Sequence, residues 1–114
     1  NAVLDGLLYP LVYETIVDDV LSAQGGTSVA MLTQFMTDWY GETKKWVDAT
    51  IKTAAAESPE NKAIIAKWST EWRDRAAAAL LPVARIALGD RTDEVMGDIV
   101  QQFNARLAKA GVAI

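Results

Sequence analysis

Histidine and cysteine are absent from this chain of 114 residues. Without histidine there is no Ser-His-Asp arrangement, and the usual ligand of zinc, copper and non-haem iron is missing. Without cysteine there are no disulfides and no thiolate chemistry, which fits a reducing cytoplasm. We therefore expect this chain to contain no catalytic, cofactor-binding or metal-binding residues.

Positive charge and long apolar runs are also scarce. Eleven basic residues face fifteen acidic ones, for a net charge of −4, which disfavours a sequence-independent grip on nucleic-acid phosphates. The longest apolar run, from Ala76 to Ala84, is far too short to cross a bilayer. No secretory signal pattern opens the chain. We predict a cytoplasmic protein with no nucleic-acid partner and no membrane association.

Glycine and proline are few, at seven and three, and this composition favours helix. Apolar periodicity predicts an all-α protein with four helices, over about 2–23, 28–57 and 59–88, with the fourth starting after the "GDRTDE" of 89–94 and running to about 109. Pro10 should kink or split the first helix, because it has no amide proton. The link between the second and third helices is so short that we predict an antiparallel hairpin. We expect residues 1–114 to form a single helical domain.

The predicted ends of the helices rest on local capping signals. Gly25 and Gly26 end the first helix, with Thr27 or Ser28 as the cap of the next. The sequence "SPE" at 58–60 starts the third, with a capping serine, a proline at the first helical position and an acid at the positive end of the helix dipole. Thr92 is expected to cap the fourth helix.

Two apolar stripes are predicted to line the core. In the second helix, Gly41 is expected either to allow close packing against a neighbouring helix or to mark a kink. The stripe of the second helix comprises Leu32, Phe35, Met36, Trp39, Trp46, Val47, Ile51 and Ala54. The stripe of the fourth comprises Val95, Met96, Ile99, Val100, Phe103 and Leu107.

Fifteen carboxylates raise the question of a metal or acid–base site. Helical di-iron sites pair a glutamate with a histidine three residues later, and no acid here has such a partner. The adjacent acids Asp18–Asp19 and Asp93–Glu94 diverge around their helices, so neither forms a catalytic pair. The turn "QGGTS" lacks the lysine and the spacing of a phosphate-binding loop.

Four tryptophans and two arginines are the remaining candidates for function. Tryptophans at seven-residue and four-residue spacing share a helix face, and an antiparallel hairpin could bring the four rings into one cluster. They either belong to the core or anchor a protein interface, where tryptophan and arginine are enriched. The two arginines stand beside acids, which favours ion pairs within the chain or with a partner. The candidate interface residues are Trp39, Trp46, Trp68, Trp72, Arg73 and Arg75.

Three stretches of the sequence, taken in order along the chain, resemble a known protein family. The stretches "VLDGLLYPLVY", "WVDATIKTAAAESPENKA" and "WRDRAAAALLPVAR" resemble the C-terminal part of the β subunit of bacterial multicomponent phenol hydroxylases. Those proteins are soluble di-iron monooxygenases, related to toluene and methane monooxygenases. The resemblance implies a ferritin-like helical fold in a subunit that carries no iron.

The resemblance also implies partners and cofactors. The hydroxylase pairs α, β and γ subunits, with the di-iron centre in α, and a small regulatory protein docks on it. A reductase with FAD and a 2Fe–2S cluster supplies electrons from NADH. Such a β subunit is about three times longer than this chain, and the chain opens without methionine, so we expect a C-terminal fragment. The alternative is a stand-alone helical adaptor or regulatory bundle.

Overall fold

Four α-helices and no strand make up this protein, whose computed structural model describes residues 1–114. The first, α1, spans Ala2–Tyr9 and continues without a break into a π-helical segment, Pro10–Leu21. The two long helices are α2, Thr27–Glu57, and α3, Pro59–Leu88. A 3₁₀ turn, Gly89–Arg91, leads into α4, Thr92–Lys109. The prediction of an all-α fold is confirmed.

Pro10 changes the winding of the first helix without breaking it. Its ring cannot donate a hydrogen bond and crowds the carbonyl four residues earlier, so the tighter α register is lost there. The hydroxyls of Thr15 and Ser22 donate to carbonyls five residues back, at Pro10 (2.9 Å) and Val17 (3.3 Å). Threonines in α2 and α3 donate four residues back instead. The expected kink is therefore a change of helical register that begins at Pro10.

The turn between the first helix and α2 depends on two glycines. Gly25 has a φ of +89°, which favours glycine, and the Gly26 amide donates to the Leu21 carbonyl at 2.6 Å. Gly26 is itself the N-cap of α2, with no side-chain cap. The expectation that Thr27 or Ser28 caps α2 is wrong, because the tight turn already places Thr27 inside the helix.

A single residue, Ser58, joins α2 to α3. It is extended (φ −158°, ψ 154°), and its hydroxyl accepts a hydrogen bond from the Asn61 amide at 3.0 Å, as the capping signal predicts. Each long helix measures about 45 Å at 1.5 Å per residue. Both fit only along the 50 Å dimension of the molecule, which extends 50 × 27 × 17 Å. The antiparallel hairpin is therefore confirmed.

The core lies where the first helix, α3 and α4 meet. The predicted stripe of α4 faces it, with Phe103 and Leu107 almost completely buried. Thr92 does not cap α4: its hydroxyl donates to the carbonyls of Gly89 (2.6 Å) and Ala84 (3.3 Å) and so ties α4 to the end of α3. The buried cluster comprises Leu7, Leu11, Ala55, Ala76, Ala84, Leu88, Val95, Met96, Ile99, Phe103, Leu107 and Val112.

The predicted core stripe of α2 is only partly correct. The buried residues of α2 are Tyr40, Val47 and Ala55, whereas Leu32 is 75% and Phe35 is 65% exposed. Helix α2 carries two adjacent apolar stripes, and periodicity alone cannot tell which of them faces the chain's own core. At Gly41 a side chain would meet open space, so this chain provides no close packing for it.

Candidate subunit interface

No cluster of acids in the structure offers a ligand set for a metal ion. The chain has no histidine, and no three carboxylates converge on one point. The residues present therefore do not fit a di-iron centre of the carboxylate–histidine type. The candidate functional residues lie instead on the helix surfaces.

The four tryptophans lie on the surface of this chain. Their exposed fractions run from 51% at Trp39 to 59% at Trp46 and Trp68. They do not form the cluster that the hairpin suggested, because no two of the four rings pair with each other. Helix α2 and helix α3 each turn their tryptophans outward, so these rings are not core residues of the chain.

One exposed apolar face runs along α3, and we call it the α3 stripe. Its members follow at intervals of four and three residues, so they line one side of the helix over about 33 Å. Ile86 is the most exposed of its large apolar residues, at 88%. The α3 stripe consists of Ile64, Trp68, Trp72, Arg75, Ala79, Val83 and Ile86.

A second exposed apolar face, the α2 stripe, lies on α2. It consists of Leu32, Phe35, Trp39 and Trp46, all more than half exposed. Only Trp39 touches another ring of the chain, with 5.9 Å between its centroid and that of Tyr9. Large exposed apolar faces are unusual on a self-sufficient monomer and are typical of surfaces that another polypeptide covers.

The two candidate arginines, two residues apart, have different environments. Arg73 is largely buried: it donates to Asn104 of α4 at 3.0 Å and to Asp74 at 2.9 Å. Arg75 is exposed, pairs with Glu71 at 2.7 Å and lies 5.1 Å from the centroid of the Trp72 ring. Arg73 therefore links α3 to α4, and Arg75 belongs to the α3 stripe.

A polar and aromatic cluster that sequence reasoning missed joins α1, α2 and α4. The ring of Tyr9 stacks on that of Tyr40 at 4.8 Å, and Tyr40 accepts a hydrogen bond from Arg106 at 3.3 Å. Arg106 also pairs with Asp48 at 2.6 Å, and its side chain is only 10% exposed. Asp48 and Arg106 are 58 residues apart, a separation at which a single sequence carries no pairing signal.

Burial raises the pKa of both tyrosines above the ordinary value. For Tyr9, burial is the main cause, and the negative charge of Asp5 adds to it. For Tyr40, burial raises the pKa and the nearby Arg106 guanidinium offsets part of the effect. Both groups therefore stay protonated and act as aromatic packing and hydrogen-bonding groups at neutral pH.

Comparison with known proteins identifies the family. The profile of the Methane/Phenol/Alkene Hydroxylase family matches residues 1–58. The chain is 46% identical over 112 residues to the oxygenase component DmpL of phenol 2-monooxygenase from Pseudomonas sp. (strain CF600). It is 41% identical over 103 residues to the oxygenase component MhpL of phenol 2-monooxygenase from Acinetobacter pittii (strain PHEA-2). These alignments cover 98% and 90% of the chain.

A solved structure shares the fold. All of the chain superimposes on part of xenon-pressurized phenol hydroxylase from Pseudomonas sp. OX1, with a TM-score of 0.90 and 36% identity. The chain spans about a third of the length of these relatives: 33% and 31% of the two oxygenase components and 34% of the solved chain. This protein belongs to the methane, phenol and alkene hydroxylase family and has the ferritin-like helical fold of that structure.

None of the helices is long and apolar enough to span a bilayer.

Proposed function

We propose that this chain is the C-terminal segment of a non-catalytic β subunit of a multicomponent phenol monooxygenase. In that role it holds the helices of a di-iron α subunit in place during NADH- and O₂-dependent hydroxylation of an aromatic substrate. The similarity to two oxygenase components of phenol 2-monooxygenases supports the enzyme class. The resemblance of three sequence blocks to β subunits supports the choice of subunit, and the lack of a ligand set for iron is consistent with it.

The observation that carries the proposal is the pair of exposed apolar stripes. Subunit interfaces concentrate aromatic side chains and arginine, and the α3 stripe offers Trp68, Trp72 and Arg75 on one face. The α2 stripe adds Trp39 and Trp46. Association with the α and γ subunits would remove both stripes from water, a contribution of about 25 cal/mol for each Å² of apolar surface buried.

In this proposal the di-iron centre and the electron-transfer cofactors are bound by other chains. The di-iron centre lies in the α subunit, and a reductase with FAD and a 2Fe–2S cluster delivers electrons from NADH. A regulatory protein docks on the assembled hydroxylase. The residues of the present chain bind and position the neighbouring subunit, and they take no part in proton or electron transfer.

Co-purification tests the proposal. The full-length subunit that contains this segment is produced with and without its α partner, and each sample is analysed by size-exclusion chromatography and iron analysis. We expect one complex with iron only when α is present. Stoichiometric iron on the subunit alone would contradict the proposal. A subunit that melts cooperatively as a monomer and binds no α chain would instead indicate an adaptor.

Trp72→Ala tests the α3 stripe itself. Truncation of an interface anchor costs about 1–3 kcal/mol of association, so affinity for the α subunit should fall about 5- to 150-fold. The control is Lys67→Ala, an exposed residue of α3 outside the α3 stripe, which should change affinity much less. Arg73→Ala should lower the thermal stability of the subunit more than its affinity, because Arg73 is bonded to Asn104 and Asp74. Equal affinity of the Trp72→Ala and Lys67→Ala variants would exclude the α3 stripe as an anchor.

A further inference from the structure

A basic groove crosses this acidic chain on the side where α2 and the last turn of α4 face each other. Two adjoining clefts of about 560 and 290 Å³ form it, and they share Lys52, Lys109 and Ala110. Five of the eleven basic residues of the chain line it: Lys44, Lys52, Lys62, Arg106 and Lys109. The only carboxylate in its lining is Asp48, which is already paired with Arg106.

The lysines of the groove lack acidic partners within the chain, unlike some basic residues elsewhere on the surface. Lys45 and Arg75, for example, pair with acids on their own helices. Lys67, Arg85 and Arg91 are also unpaired but are not gathered in one groove. The four lysines of the groove make no ion pair within the chain. Four like charges gathered from three elements repel one another, so the arrangement favours an anionic occupant.

The helix dipoles do not account for the cluster. Lys109 lies in the last turn of α4, where a cation is favourable. Lys62, however, lies close to the start of α3, at the positive end of the dipole, where a cation is unfavourable. Lys44 and Lys52 lie in the middle of α2, away from both ends. An external negative charge would stabilise all four.

The floor of the groove fits a polypeptide. Between the lysines it is lined by alanines of α2, of α4 and of the position just after α4, namely Ala49, Ala55, Ala56, Ala105, Ala108 and Ala110. These small side chains let another backbone approach closely, with the lysines placed along its flanks. Lys44 and Lys52 are eight residues apart, about 12 Å along α2, so they can meet two acids that lie about two helical turns apart on a docked helix.

We propose that the basic groove docks a carboxylate-rich segment of another subunit of the oxygenase. The inference rests on the proposed function, because it requires that the chain works inside a complex. It adds a contact of different chemistry from the apolar stripes, on another side of the molecule. Charge pairing of this kind fixes the register of two chains and speeds their association.

Carbodiimide crosslinking of the assembled oxygenase tests the contact directly. The reagent joins a lysine amine to a carboxylate only when the two touch, with loss of water. We expect Lys44, Lys52 or Lys109 to be joined to an aspartate or glutamate of another subunit. Lys67, exposed and unpaired outside the groove, serves as the control and should give no such link. If the complex assembles but these lysines link only to acids of their own chain, or to none, the inference fails while the proposed function stands.

Charge reversal provides an independent measurement. Lys44→Glu with Lys52→Glu in the full-length subunit should weaken association with the rest of the oxygenase about 10-fold or more at low salt, and less at high salt. Lys67→Glu should change it less than twofold, and Lys44→Arg with Lys52→Arg should keep wild-type affinity. Equal losses in the double variant and the Lys67→Glu control would overturn the inference.

Discussion

At the scale of single residues, Gly6 determines how closely α1 approaches α4. A β-carbon at this position would lie 2.9 Å from Cδ2 of Phe103 and 3.1 Å from Nη1 of Arg106. Phe103 is only 2% exposed and has no room to move. The glycine is therefore a packing requirement, although alanine is the better helix former.

Gly6→Ala should destabilise the full-length subunit by about 1–3 kcal/mol, because overpacking a filled core outweighs the gain in helix propensity. Gly97→Ala is the matched control. Gly97 also lies inside a helix, but its added methyl group would meet open space, so that variant should gain up to about 1 kcal/mol. Denaturant unfolding measures both, and equal effects would contradict the packing argument.

The two buried tyrosines predict a loss of stability at alkaline pH. Their pKa values are raised in the folded chain, so the fold favours the protonated hydroxyls. This contribution is complete below the unfolded pKa of about 10 and disappears as the pH rises through the folded pKa. Unfolding of the wild type and of Tyr9→Phe, followed between pH 7 and 11, should show a smaller alkaline loss in the variant. If the unfolding free energies of the two proteins fall in parallel as the pH rises, Tyr9 is not a source of the alkaline loss of stability.

At the scale of helices, the start of α3 depends on one hydroxyl. Ser58→Ala removes the acceptor of the Asn61 amide and should cost about 1 kcal/mol of unfolding free energy. Ser28→Ala is the control, because α2 begins without a side-chain cap and that change should be close to neutral. Denaturant unfolding measures both variants, and an equal shift of the unfolding midpoint in the two would contradict a capping role for Ser58.

Capping and periodicity predict the helices well because both are local. The signal at 58–60 marks the start of α3, and Gly89, with a φ of +55°, ends it where expected. The α4 stripe is also correct, since that helix has a single apolar face. Helix α2 has two, and only packing against the first helix selects the face with Tyr40 and Val47. Thr27, Ser28 and Thr92 were misassigned as caps because turn geometry determines which hydroxyl reaches a free amide.

At the scale of the whole molecule, the chain is more open than an independent domain of its size. Its radius of gyration is 15.2 Å, against about 13 Å expected for a compact chain of this length. Its accessible surface is 6898 Å², against roughly 6,100 Å² for a monomer of its mass. The excess of about 800 Å² is close to one side of a standard protein interface.

Hydrogen exchange should show where that surface is covered. We expect amides of α3 between residues 64 and 86 to exchange more slowly in the assembled oxygenase than in the isolated subunit, because a docked partner suppresses local opening. Core amides of α4 should change less. Equal protection of α3 in both samples would mean that the α3 stripe is not a subunit contact.

The sequence predicts the role of the candidate interface residues only as one of two alternatives, packing in the core or contact with a partner. Tryptophan spacing indicates which rings share a face and somewhat favours the core over an interface, whereas the structure shows all four exposed. Whether they touch a partner stays a prediction. For Arg73 and Arg75 the sequence predicts ion pairs, and both form, with Asp74 and Glu71. What the sequence does not show is that Arg73 also bonds to α4 and that Arg75 lies beside Trp72.

The sequence by itself determined the helices, most of their ends and the lack of histidine and cysteine chemistry, since these depend on residue type and on neighbours within a few positions. The tertiary structure alone decided which apolar faces are buried, and it brought Asp48 to Arg106 and gathered four lysines around one groove. These features join residues tens of positions apart in the chain. Their proximity arises from the packing of whole helices, which no local pattern encodes.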